Sequence, residues 1–193
     1  MAQVTTTFND ITSGDIRSHN ATFSTARSGS NLATFNPIAQ LYSGFTAGEY
    51  YIDRDFVRFA TGSIPDNATI VSAFIRINGS LGADNNSQSV HIVGSTGADT
   101  ITTADWANVG TTDFGSKTFA SFITGNNDIA LNASGLAALS LTGDTKFALR
   151  GTADLANSAA GGANFILSTD PIVLSVTYTI PDSGGSEFFI NLL

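Results

Sequence analysis

The sequence predicts an all-β fold, a two-sheet antiparallel β-sandwich of jelly-roll type with extended N- and C-terminal segments. Three observations lead to this prediction. Short runs of β-branched and aromatic residues recur along the 193 residues, and Gly, Asn and Asp turns separate them. No helical pattern is long enough to form the crossovers that a parallel sheet needs. The clearest run, residues 69–78, alternates apolar and polar side chains, which is typical of a strand over a core.

The first half of the chain predicts five strands from runs of β-prone residues. A turn rich in Gly, Pro and Asn at residues 62–67 separates the fourth strand from the fifth. In the fifth strand, Val71, Ala73, Ile75 and Ile77 are expected on the core face. The five predicted strands are residues 4–8, 21–26, 50–52, 56–60 and 69–78.

The second half predicts six more strands and two short helices. A loop at residues 82–87 precedes a strand in which Val90 and Ile92 point inward and His91 outward. Thr103 and Asn132 are side chains that cap helix N-termini, so helices are expected at residues 103–106 and 132–139. The predicted strands are residues 89–93, 117–122, 128–131, 146–150, 164–168 and 172–180, the last opened by Pro171.

The chain is expected to have three parts. Residues 1–45 form an N-terminal segment for attachment or first strands, residues 46–180 the sandwich, and residues 181–193 a linker and an apolar docking tail. The linker contains Gly184-Gly185, and an exposed apolar tail is an aggregation hazard that a partner or the sandwich itself has to bury. Both destinations stay open. The predicted partner-binding residues are Phe188, Phe189, Ile190, Leu192 and Leu193.

Composition restricts the function classes. Charged residues make up 12% of the chain against roughly 25% in an ordinary domain, and the formal net charge is −8. A chain with only two lysines and no basic cluster is not expected to bind nucleic acid. There is no cysteine for disulfide or thiolate chemistry, no secretory signal at Met1, and no apolar run of membrane-spanning length. We therefore expect no membrane partner.

No catalytic residue is predicted. The two histidines, His19 and His91, lie in no nucleophile motif, and no pair of carboxylates has a sequence reason to face each other across a sugar. Zinc lacks ligands, and we predict neither a metal nor a cofactor. A structural calcium site is the alternative to that prediction. It would use Asp53 and Asp55, or the loop residues 84–86.

Carbohydrate binding without catalysis needs aromatic rings on an exposed face. The candidates are Trp106, Tyr42, Tyr50 and Tyr51. Trp106 has a second interpretation, in which it fills the mouth of the sandwich as a core residue.

Seven segments of the sequence together carry a family resemblance, namely residues 56–59, 63–65, 68–73, 75–77, 127–132, 146–150 and 173–179. In these segments the chain resembles the DNRLRE-type β-sandwich domains, a carbohydrate-binding-module-like family found in bacterial surface proteins and phage structural proteins. The resemblance covers roughly residues 45–180. It departs at Ala60, where family members commonly carry an acidic residue after the Arg-Phe pair. It implies the fold and a role in attachment or binding, and it identifies no binding residues.

These observations predict a non-enzymatic structural protein of a virion, a phage capsid-decoration, head-fibre or tail-fibre component. Its expected partners are other capsid or tail proteins and further copies of itself, a trimer by closed symmetry. The alternative is a carbohydrate-binding module of a bacterial surface or secreted protein, located outside the cell or on its surface, with glycans as partners.

Overall fold

The computed structural model of the protein describes residues 2–35, 40–85 and 87–181, with side chains at all of these except 169 and 170. The strands are β1 Ala2–Asn20, β2 Ala33–Phe35, β3 Gln40–Thr46, β4 Glu49–Phe59, β5 Thr69–Asp84, β6 Ser89–Gly94, β7 Gly115–Thr118, β8 Gly125–Ala130, β9 Thr145–Gly151 and β10 Asn164–Ile180. The α-helices are α1 Phe23–Gly29, α2 Ala133–Ala137 and α3 Thr152–Ala156. Short 3₁₀ turns occupy Thr61–Ser63, Thr103–Ala107 and Phe119–Ser121.

Antiparallel hydrogen bonding connects these strands into one continuous sheet. One group of neighbours is β8–β5–β10, and the other is β2–β1–β4–β9–β6–β7. Two strands pair with both groups. In β1, residues 2–9 pair with β10, and the part from Asp10 onward pairs with β4 after an irregularity between Asp10 and Thr12. In β3, residues 40–42 pair with β10 and residues 43–46 with β4. The strands β1 and β3 therefore join the two groups.

The main core lies between the two groups and draws side chains from both. From β5 and β10 it takes Ile75 and Leu174, and from β4 and β9 it takes Val57 and Phe147, all at most 2% exposed. A protein of this size is stabilised chiefly by such shared apolar burial. The sequence expectation of an all-β, mostly antiparallel fold is thus confirmed, and the architecture is consistent with a sandwich.

A second core lies on the other face of the β1–β4–β9–β6 group. It contains Ile16 and Ile52 from the strands, Ala26 from α1 and Trp106 from a 3₁₀ turn. The strands of this group are therefore apolar on both faces, which simple alternation of polar and apolar residues does not describe.

The predicted strand at residues 21–26 is wrong, because this segment enters α1 at Phe23. Tertiary packing overrides the β propensity of its residues, since the helix lets Ala26 bury completely in the second core. The prediction also placed only residues 4–8 of β1 in a strand and found neither β2 nor β3. The missed part of β1 carries buried polar residues, which hide the strand pattern.

In β5 the expected core face is confirmed for Ala73, Ile75 and Ile77, which are at most 5% exposed, and is wrong for Val71, which is 47% exposed. The register with β10 shifts at this point, because Ser72 pairs with Thr177 while Ile70 pairs with Tyr178. The extra residue in β5 is a β-bulge, and it turns Val71 outward.

Of the two predicted helices, one is placed well and one is displaced. Asn132 caps α2 as predicted, accepting a hydrogen bond from the Gly135 backbone N–H at 3.0 Å. The first predicted helix is a 3₁₀ turn, and its N-cap residue is Thr102 rather than Thr103. The Thr102 backbone N–H donates to the Asp105 carboxylate at 3.0 Å.

Candidate functional site

Four aromatic rings form a strip across one face of the sheet, which we call the aromatic strip. It consists of Phe165, Tyr42, Tyr51 and His19. The Phe165 and Tyr42 rings stack with centroids 5.4 Å apart, Tyr42 meets Tyr51 edge-on at 5.7 Å, and Tyr51 stacks on His19 at 5.3 Å. All four side chains are partly exposed. The strip is therefore a preformed aromatic surface.

Strand register explains why these rings meet. His19 of β1 pairs with Tyr51 of β4, and Tyr42 of β3 pairs with Phe165 of β10. Residues directly opposite each other on neighbouring antiparallel strands point to the same face, with Cβ atoms about 4.5–5.5 Å apart. The strip thus depends on β3, which joins the two strand groups at this point.

One carboxylate and one exposed apolar side chain border the aromatic strip, and the exposed Phe35 lies farther along the same face, opposite Asp15. Glu49 Oε2 lies 2.8 Å from His19 Nδ1 and accepts a hydrogen bond from the Tyr51 hydroxyl at 3.3 Å. Leu167, two residues beyond Phe165, is 44% exposed. Phe35 is 43% exposed, and the Arg17 guanidinium lies 5.1 Å from its ring centroid.

Of the aromatic residues proposed from sequence to stack on sugars, Tyr42 and Tyr51 belong to the strip and Tyr50 does not. Tyr50 follows the alternation of β4 to the opposite face. There its ring contacts Phe45 at 4.7 Å and Phe23 at 5.5 Å, and it packs against the second core.

Trp106 is a core residue, so its assignment as an exposed sugar platform is wrong. It is 6% exposed, and the Arg54 guanidinium stacks 3.9 Å from its ring centroid. Its indole N–H donates to the backbone oxygen of Arg27 at 3.2 Å. The interpretation of Trp106 as a filling residue agrees with this burial.

Arg54 belongs to a buried ion-pair network centred on Asp154. Arg54 donates two hydrogen bonds to the Asp154 carboxylate at 2.7 and 2.8 Å, and Arg150 donates a third at 2.7 Å. Asp154 is fully buried, and the two arginines are at most 5% exposed. Burial alone would raise the pKa of Asp154, but the hydrogen bonds and charges of Arg54 and Arg150 hold that pKa below its ordinary value.

A histidine on β6 is flanked in the order of a hydrolytic triad. His91 Nδ1 lies 3.1 Å from Asp113 Oδ2, and His91 Nε2 lies 3.0 Å from the Thr152 hydroxyl. That hydroxyl already accepts a hydrogen bond from the Ser89 backbone N–H at 2.9 Å. An oxyanion would need a backbone N–H donor beside this hydroxyl. The Ala153 N–H donates instead to Gln88 Oε1 at 3.1 Å, so it is already occupied. The arrangement joins α3 to β6, and we assign it no chemistry.

Three carboxylates and one arginine lie together at the side of the strip nearest the main core. Asp15, Asp53 and Asp55 are at most 2% exposed. Arg17 donates two hydrogen bonds to Asp53, both at 2.6 Å, and the Tyr42 backbone N–H donates a third at 2.8 Å. Asp53 therefore has a full set of partners and also holds the strand carrying Tyr42.

Neither calcium alternative from the sequence acquires a ligand set. Asp53 is held by Arg17, and Asp55 faces Asp15 across two strands. In the loop, the Asn85 side chain donates to the backbone of Ala163 at 2.8 Å, and residue 86 lies outside the described residues. Across residues 2–35, 40–85 and 87–181, no group of three acidic, His or Cys side chains is arranged to hold a metal ion.

The predicted partner-binding residues lie outside the described residues, so the structure places none of them. They are Phe188, Phe189, Ile190, Leu192 and Leu193. Within the part of the chain that the structure describes, no helix has the length and apolar character to cross a membrane.

Sequence reasoning missed half of the aromatic strip, namely His19 and Phe165. Both lie in runs with no sequence signal for a surface site, and only the pairing of four strands distant in the chain brings them beside Tyr42 and Tyr51. The usable signal was the cluster of tyrosines at residues 42, 50 and 51.

Comparison with known proteins adds no assignment. No protein-family model matches the chain, and no curated protein is similar enough to match it.

Proposed function

We propose that this protein is a non-enzymatic attachment protein of a virion, a phage capsid-decoration, head-fibre or tail-fibre component. The observation that supports this proposal most is the aromatic strip with its exposed neighbour Leu167 and with Phe35 exposed on the same face. Aromatic residues are enriched at the centres of protein–protein interfaces, where charged residues are depleted. The buried Asp53 nearby holds strands together, because it accepts hydrogen bonds from Arg17 and from the Tyr42 backbone N–H.

The proposal includes self-association through the apolar residues after the linker. Phe188, Phe189, Ile190, Leu192 and Leu193 bury their side chains against neighbouring virion proteins or further copies of the chain. A closed trimer would let identical tails cover one another. The location of such a protein is the virion.

Removing residues 186–193 is expected to abolish assembly, because it deletes the apolar surface that the proposal assigns to contact with neighbours. Assembly is measured as incorporation into particles and as mass by light scattering. A full-length variant with Phe188→Ser and Phe189→Ser should behave in the same way. Ile123→Ser, at a 64% exposed position of the sheet domain, serves as the control and should assemble normally. Normal incorporation of the shortened chain would contradict the role of the tail.

The aromatic strip also favours a second candidate function, a carbohydrate-binding module of a bacterial surface or secreted protein. Aromatic rings bind the apolar faces of sugar rings, and neighbouring carboxylates accept hydrogen bonds from sugar hydroxyls. Glu49 lies beside Tyr51 and is suited to that second role.

For this candidate, Tyr51→Ala should weaken glycan binding about tenfold, the loss of roughly 1.4 kcal/mol that one well-placed aromatic contact supplies. A glycan array identifies the ligand, and titration calorimetry measures its affinity. Phe45→Ala is the matched control, because Phe45 is 36% exposed on the opposite face. Equal affinity of Tyr51→Ala and the parent chain would exclude the strip as a sugar site.

The two candidates differ in one simple measurement. A monodisperse monomer that binds a glycan favours the carbohydrate-binding module. An oligomer bound to particles favours the virion protein.

A further inference from the structure

Two aspartates face each other in the middle of an otherwise apolar row of side chains. The row crosses four neighbouring strands, in the order Phe35 of β2, Asp15 of β1, Asp55 of β4 and Leu149 of β9. Directly opposite residues on antiparallel strands have Cβ atoms about 4.5–5.5 Å apart. The two carboxyl groups are therefore close neighbours with apolar side chains on either side.

Both carboxyl groups are removed from water, and one oxygen of each lacks a hydrogen bond. Asp15 is 1% exposed and Asp55 is 2% exposed. Within the described residues, Oδ1 of each is buried with no hydrogen-bond partner. A buried polar atom without a partner destabilises the folded state, and more so when it is charged. Two such oxygens side by side require an explanation.

The neighbouring cation by register offsets this pair only in part: the charge of Arg17 lowers the pKa of Asp15 and of Asp55, but by less than burial and the other carboxylates raise them. Arg17 of β1 is the cation nearest by register, but it donates two hydrogen bonds at 2.6 Å to Asp53 of β4. It reaches Asp15 only at 3.6 Å. From β3 the Tyr42 backbone N–H also goes to Asp53. At the two ends of the row, β2 contributes Phe35 and β9 contributes Leu149, and neither side chain carries a charge.

We propose that Asp15 and Asp55 hold a proton between them in the folded protein and thereby form a pH-sensitive joint between β1 and β4. A shared proton gives one carboxyl a donor and the other a charge-assisted acceptor, which satisfies the unpartnered oxygens. Two carboxylates this close in a dry site do not both ionise without strong repulsion. Loss of the proton therefore pushes apart the strands that carry His19 and Tyr51.

The direction of the titration agrees with this geometry. Burial, followed by the charge of Asp53, raises the pKa of Asp15 to about 8. Burial, followed by the charges of Asp15 and Asp53, raises the pKa of Asp55 well above its ordinary value. The folded state then binds more protons than the unfolded state between about pH 4 and pH 8. Stability has to fall as the pH rises through this window.

The first test is the unfolding equilibrium measured by chemical denaturation from pH 5 to pH 8.5 in the presence of EDTA. If the folded state binds one proton more than the unfolded state, the equilibrium constant for unfolding increases by up to about tenfold for each unit by which the pH rises. Asp55→Asn removes the shared proton and should lower the slope of this dependence; Asp53, whose pKa burial raises to about 6, titrates in both chains and does not account for the difference. Asp66→Asn, at an exposed acid, is the matched control and should keep the parent profile.

A second measurement does not depend on the variant folding. The infrared carbonyl band of a neutral carboxyl should be present in the parent chain at pH 7 and weaken as the pH rises above about 8. In the same range, amide exchange of β1 residues 12–20 should accelerate beyond the intrinsic pH effect. A parent profile as flat as that of Asp55→Asn, or the lack of a neutral carboxyl band at pH 7, would overturn the proposal. Stabilisation by added Ca²⁺ at pH 8 that Asp55→Asn abolishes would also overturn it, because a cation would then occupy the place of the proton.

Discussion

Asp154→Ala is expected to lower the free energy of unfolding by about 3–5 kcal/mol, the cost of breaking a buried ion pair by removing one partner. The change leaves the guanidinium groups of Arg54 and Arg150 inside the protein without their carboxylate. These two arginines connect β4 and β9 to α3. Loss of the Asp154 carboxylate therefore also weakens the packing of α3 against the second core. Denaturant unfolding followed by circular dichroism measures the change.

The control for this prediction is a second ion pair with the same geometry at the surface. Asp128 accepts two hydrogen bonds from Arg76 at 2.7 and 2.8 Å, and the two side chains are 43% and 37% exposed. Asp128→Ala should cost less than about 1 kcal/mol, because solvent screens the pair. Equal losses in the two variants would mean that burial does not set the strength of the Asp154 network.

The Asp154 network also predicts the acid limit of stability. Because the folded-state pKa of Asp154 is below its ordinary value, the network stabilises the protein above about pH 4. This contribution disappears as the pH falls through the folded-state pKa. Together with the opposite dependence of the Asp15–Asp55 pair, it places the expected stability maximum in the mildly acid range.

Ile75→Ala is expected to destabilise the protein by about 2–5 kcal/mol, through lost apolar burial and the cavity that remains. Ile75 is fully buried at the centre of β5, where it pairs with Leu174 of β10 and with Ile129 of β8. The midpoint and slope of urea unfolding measure the effect.

The same substitution at an exposed site provides the comparison. Ile123 is 64% exposed, and Ile123→Ala should change the stability by no more than about 0.5 kcal/mol. If Ile75→Ala were as mild as Ile123→Ala, the main core would not be the principal source of stability.

The general fold was predictable from the sequence because most strands carry their signal locally. Residues 69–78 show the period of two, and Asn132 shows the cap of a helix, and both are found in the structure. The exception within β5 is Val71, whose outward position depends on a bulge that the register with β10 imposes. Such a bulge leaves no mark in the sequence of β5 itself.

The missed parts of the fold share one physical cause. Residues 10–20 of β1 bury Asp15 and Ser18 together with Ile16, so polar residues occupy positions that a local rule assigns to the surface. The hydroxyl of Ser18 is satisfied by backbone oxygens of Ala26 and Ser30 at 2.6 and 2.7 Å, from a different segment. Only tertiary structure supplies such partners.

The candidate site was predictable in part. The tyrosines at positions 42 and 51 were proposed as sugar-stacking residues, and the structure brings them together in the strip. Trp106 was the most conspicuous aromatic residue of the sequence, yet it lies in the second core under Arg54. Exposure of an aromatic side chain depends on which neighbouring segment covers it, and here α1 packs against Trp106.

The proposal that the protein works by attachment to neighbours is tested most directly by the native mass of the full chain in dilute neutral buffer. The proposal predicts a discrete oligomer whose mass is a multiple of the 20.0 kDa chain, with three copies expected. A single 20.0 kDa species at every concentration, neither associating with itself nor binding to particles, would contradict it.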